Sequence, residues 1–64
     1  MSKQEKRDYL FTALARMGNA SSEMAWANNC VEDINEVPAD LKEEMVNINR
    51  TIYKLQERLR EVSL

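Results

Sequence analysis

The one strong nucleophile in the chain is Cys30, and nothing beside it in sequence could activate it. A thiolate forms near neutral pH when a cation or a base stands next to the sulfur. Cys30 is flanked by Asn28, Asn29, Val31 and Glu32, and histidine is absent from all 64 residues. The commonest general base and the commonest metal ligand are therefore missing. One cysteine with scattered carboxylates does not make a zinc site. The acidic run Glu32, Asp33, Glu36, Asp40, Glu43, Glu44 lacks the spacing and the turning glycine of a calcium loop. Gly18 is the single glycine, so no glycine-rich loop can cradle a phosphate. The expectation is a protein that is not an enzyme, with no catalytic, cofactor-binding or metal-ligating residue.

The chemistry left is that of surfaces. Lys3, Lys6, Arg7, Arg50, Lys54 and Arg58 could meet phosphates of a nucleic acid. A salt-bridged, solvated helix surface explains them as well, and the net charge is −2. Tyr9, Leu10, Phe11, Leu14, Trp26, Val46 and Tyr53 could anchor a protein partner, because large apolar and aromatic side chains dominate interface energetics. Met17 and Met24 could form an adaptable surface, but their spacing of seven reads first as core.

Such residues need elements to hold them. With one Gly and one Pro among 64 residues, the composition points to helix with few places to turn. Pro38 ends any helix arriving from the N-terminal side. The next helix begins there, either with Pro38 in its first turn or with Asp40 as N-cap of an Asp40-Leu41-Lys42-Glu43 box. From Asp40 a heptad seam of Leu41, Met45, Ile48, Ile52, Leu55, Leu59 and Val62 predicts one helix over about 40–63. The first half opens on a capping signature, Ser2-Lys3-Gln4-Glu5. Its seam is Leu10, Ala13, Met17, Ala20, Met24, Ala27, Val31 and Ile34, which predicts a helix over about 3–35. Gly18 followed by Ser21 and Ser22 leaves open a break there, and with it a three-helix bundle.

The expected fold is therefore all-α. It is a single domain, 1–64, in which a long helix, a turn at 36–39 and a second heptad helix form an antiparallel hairpin. Two registers fit. One aligns Val31 with Met45 and Ala27 with Ile48; the other aligns Val31 with Ile48 and Ala27 with Ile52. Each sets alanine opposite a large aliphatic side chain. Both leave Tyr9, Leu10 and Phe11 beyond the end of helix 2, with Leu14 at the edge.

A chain this short hides only about 60% of its unfolded surface. With no intrachain disulfide possible, a second subunit or a bound partner is the remaining support. Residues off the seams, notably Trp26, Val46 and Tyr53, have no second core in one hairpin, so dimerisation into a four-helix bundle is expected. The charge layout agrees. Residues 1–16 and 49–64 each carry four cations against two acids, whereas 17–48 carry seven acids and only Lys42. A hairpin would thus be basic at its open end and acidic at its turn.

The functional expectation is a non-catalytic protein–protein interaction module, a small regulator, adaptor or chaperone. Its partner would be itself or another helical protein. An RNA- or DNA-binding four-helix-bundle dimer is the alternative. No small-molecule substrate is expected, since a narrow helix pair offers no pocket of the usual size. The N-terminus, Met-Ser-Lys-Gln-Glu-Lys-Arg-Asp, has no apolar run of signal-peptide type, and no membrane span is evident, so a cytoplasmic location is expected. The opening Ser2-Lys3-Gln4-Glu5-Lys6, the chain length, the hairpin pattern and the alanine seam resemble the plasmid RNA-binding Rop family. That resemblance implies an antiparallel dimer of helical hairpins that contacts paired RNA loops through one bundle face. Beyond Lys6 the likeness is architectural, and no RNA-contact residue carries over.

Overall fold

A computed structural model describes residues 1–64. Two helices, α1 (Lys3–Val31) and α2 (Ala39–Arg60), pack against each other as a hairpin. The result is a thin rod of 51 × 15 × 13 Å.

Helix α1 begins where the capping signature places it. The Ser2 hydroxyl accepts from the Glu5 amide at 3.1 Å, and the Ser2 amide donates to Glu5 Oε1 at 3.4 Å. Two of the four amides that a helix N-terminus orphans are satisfied in this way. The break considered at Gly18 does not occur. Helix α1 runs through the glycine without a positive φ, so the three-helix alternative is excluded. A Cβ at Gly18 would meet Gln56 Nε2 at 3.5 Å, an ordinary van der Waals distance. Gly18→Ala is therefore expected to stabilise the protein by about 0.5–1 kcal/mol, read as a higher urea midpoint. A lower midpoint would mean that Gln56 cannot accommodate the methyl group.

Both helices are shorter than the sequence suggests. α1 stops a turn before residue 35, where Glu32 and Asp33 place negative charge at the negative end of the helix dipole. Successive turn hydrogen bonds, from the Ile34 amide to the Val31 carbonyl and from the Val37 amide to the Ile34 carbonyl, then carry the chain to Pro38. Pro38 itself is the N-cap of α2 and no side chain caps that end, so Asp40 lies in the first turn rather than at the cap. The C-terminal end of α2 is favoured by Arg58 and Arg60 in its last turn.

The exposed C-terminus of α1 is served from the other helix. Lys42 Nζ donates to the Glu32 carbonyl at 2.9 Å. It satisfies one orphan carbonyl and sets a cation at the negative end of the dipole. Lys42→Met keeps the aliphatic stem and removes this charge, so it should cost about 0.5–1 kcal/mol. The loss should shrink in high salt; a variant as stable as the parent at low salt would show that the bond contributes nothing.

The register differs from both sequence alternatives. Ser21 Oγ bonds Asn49 Oδ1 at 2.7 Å, and Gln56 Nε2 donates to the Leu14 carbonyl at 3.3 Å. These pairs lie closer to the Val31–Met45 register, with each α1 residue meeting α2 nearer the turn. The reason is a rotation. The helices do not meet centred on their apolar seams; each is turned by one heptad row, so that a polar row faces a polar row.

Candidate interaction surface

Residues seven apart on a helix fall on nearly one line, which makes each helix a set of parallel rows. In α1 the central row is Leu10, Met17, Met24 and Val31, all half-buried. About 40° to one side runs Leu14, Ser21 and Asn28; about 60° to the other runs Ala13, Ala20 and Ala27. In α2 the central row is Met45, Ile52 and Leu59, also half-buried. It is flanked by Lys42, Asn49 and Gln56 on one side and by Leu41, Ile48 and Leu55 on the other, with Val62 just past the helix end.

The hairpin seam uses the central rows and the polar rows. Ser21 and Gln56 are the most enclosed residues, at 3% and 5% exposure, and both are polar. Their hydrogen bonds satisfy them, as burial of polar groups requires, although the buried Asn28 Oδ1 has no partner. No hydrophobic side chain in the chain is fully buried. The seam thus joins the helices without giving the molecule a dry interior.

Because the helices are antiparallel and turned the same way, the two outer apolar rows come out on one broad side. Leu41, Ile48, Leu55 and Val62 are all exposed, Ile48 by 53%. Met17 from α1 shares a shallow recess with Leu55 and Leu59 of α2 and with Val62 beyond it, and Ile48 and Ile52 line another. Together with the alanine row of α1 these residues form a continuous apolar face. Small residues on one helix beside large ones on the other let a second layer of helices approach closely.

The aromatic and aliphatic residues expected to form a partner surface are split between locations. Leu10 and Leu14 are half-buried, Leu10 in the central row and Leu14 in the polar row of α1. Tyr9 is exposed on the edge of the apolar face, in line with Arg16 and Glu23. Phe11, Val46 and Tyr53 stand on the opposite broad side, exposed, and Trp26 lies on the outer flank of α1. The structure does not bring these seven together. The surface that sequence reasoning misses is the outer row of α2, whose heptad spacing points to the hairpin seam; the contrary signal is the polar Lys42, Asn49 and Gln56, themselves seven apart.

Apart from the half-buried Lys42, the cations are all exposed. Arg50, Lys54 and Arg58 follow one stripe of α2, while Lys3, Lys6 and Arg7 occupy the first turns of α1. Since Gln56 is level with Leu14, Arg50 lies roughly 20 Å along the rod from the α1 cluster. The acidic residues around the turn do not converge into any group of three that could hold a metal ion. No helix is long and apolar enough to cross a membrane. No protein-family model matches the chain, and neither a curated protein nor a solved structure shows significant similarity to it.

Proposed function

We propose that the chain is a non-catalytic interaction module that works by helix–helix packing through its apolar face. The observation that carries this reading is the absence of any fully buried hydrophobic side chain in the hairpin. Each large aliphatic residue left in water forgoes about 1.5–3 kcal/mol of burial, and a native domain has only a few such amounts of net stability. Leu41, Ile48 and Leu55 in the outer row of α2, with Val62 just beyond it, alone represent a comparable sum. A second layer of helices over that face would remove them from water and produce a four-helix bundle. A role as a small regulator, adaptor or chaperone follows from a surface whose only chemistry is association.

The experiment is light scattering joined to far-UV circular dichroism over a dilution series. Assembly and helicity should fall together as the protein is diluted. A cooperatively folded monomer at low micromolar concentration would overturn the reading.

A further inference from the structure

We infer that the apolar face is covered by a second copy of this chain, docked head to tail so that α1 lies against α1 and α2 against α2 of its twin. This rests on the proposed packing role and adds the identity and orientation of the partner. Charge decides the orientation. The acidic segment 17–48 holds seven acids and one cation, and each terminal segment has two cations in excess. Copies with their turns at the same end would set the acidic ends side by side. Copies reversed set each basic end beside an acidic turn.

The edges of the face fit the same operation residue by residue. Beside the alanine row of α1 run Tyr9, Arg16, Glu23 and Cys30; beside the outer row of α2 run Glu44, Thr51 and Arg58, all exposed. Reversing α1 about a point between residues 19 and 20 sets Arg16 against Glu23 of the twin and Glu23 against its Arg16. Reversing α2 about Thr51 sets Glu44 against Arg58 of the twin. One two-fold axis must do both, so these two points have to be level along the rod. They are: the Ser21–Asn49 hydrogen bond places residues 19–20 of α1 beside residues 50–51 of α2. A surface that is complementary to itself at both edges about one level is what a closed two-fold interface requires.

Cysteine cross-linking tests this in the full chain on a Cys30→Ser background, with diamide as oxidant of the paired thiols. Ala20→Cys, next to the axis, should give covalent dimer. Ala13→Cys and Ala27→Cys should not do so alone, because each lies roughly 20 Å from its own counterpart. Mixed and re-equilibrated, these two should cross-link to each other. Thr51→Cys provides a second self-pairing site should Ala20→Cys perturb folding. Arg16→Glu should weaken association severalfold, and Arg16→Glu with Glu23→Arg should restore it. Cross-linking of Ala20→Cys to Ile48→Cys in a mixture, with no covalent dimer of Ala20→Cys alone, would mean copies with their turns together, since that two-fold sets α1 against α2, and would overturn the inference. So would a dimer by light scattering that cross-links at neither Ala20→Cys nor Thr51→Cys. In both cases the packing role would stand, whereas a folded monomer at all concentrations would remove both.

Discussion

Ile48→Asp is expected to abolish self-association while leaving a single hairpin almost untouched. Ile48 is 53% exposed in the hairpin, so the substitution removes little that one chain buries, and surface changes of this kind usually stay within about 0.5 kcal/mol. In the covered face the same residue would lose about 1.5–3 kcal/mol of burial. The new carboxylate would also be stranded among Leu41, Leu55 and Ile52 without a partner, at a further cost of several kcal/mol. A two-fold assembly pays both costs twice. The dissociation constant should therefore rise by about a thousandfold or more. Sedimentation equilibrium reads the change, with Thr12→Asp on the outer side of α1 as the control. If the variant associates like the parent, the apolar face plays no part in assembly.

Ser21→Leu should unfold the hairpin or force it apart, whereas Ser22→Leu, one residue along, should be tolerated. Ser21 is 3% exposed, sits where α1 and α2 approach, and bonds Asn49 at 2.7 Å. Leucine adds two heavy atoms where there is no room and leaves the Asn49 carboxamide without its donor. Overpacking typically costs about 1–3 kcal/mol, and the lost hydrogen bond about 0.5–1.5 kcal/mol more. In a fold with so little interior, that is a large share of the total stability. Ser22 is exposed, and leucine has the better helix propensity. A melting temperature lowered by many degrees for the first variant and unchanged for the second is the expected pair. Equal melting temperatures would place the hairpin seam elsewhere on α1.

The elements themselves were legible because local signals carry them. The capping box at Ser2 and Glu5, the punctuation at Pro38 and the two heptad patterns lead directly to α1, the turn and α2. The helix ends were less so. Glu32 and Asp33 oppose the dipole at the end of α1, and Pro38 caps α2 through geometry rather than a side-chain bond. The rotation of each helix by one row was not read. Seam assignment from apolar periodicity assumes that the greasiest stripe faces the nearest helix. Here Ser21, Asn49 and Gln56 share that place with the central rows, and the other half of each apolar stripe, the alanine row of α1 and the outer row of α2, is turned aside. The same rotation explains why Tyr9, Phe11, Trp26, Val46 and Tyr53, grouped by their lack of a seam position, do not form one patch.

A rod whose two most enclosed side chains are a serine and a glutamine has consequences for how such a molecule would persist in a cell. If dehydration is completed between copies, the folded fraction obeys mass action and follows the amount of protein made. Scarce chains would spend much of their time open to proteases, and abundant ones would protect one another. Turnover would then act as a threshold on expression, clearing the product of weak synthesis and sparing the product of strong synthesis.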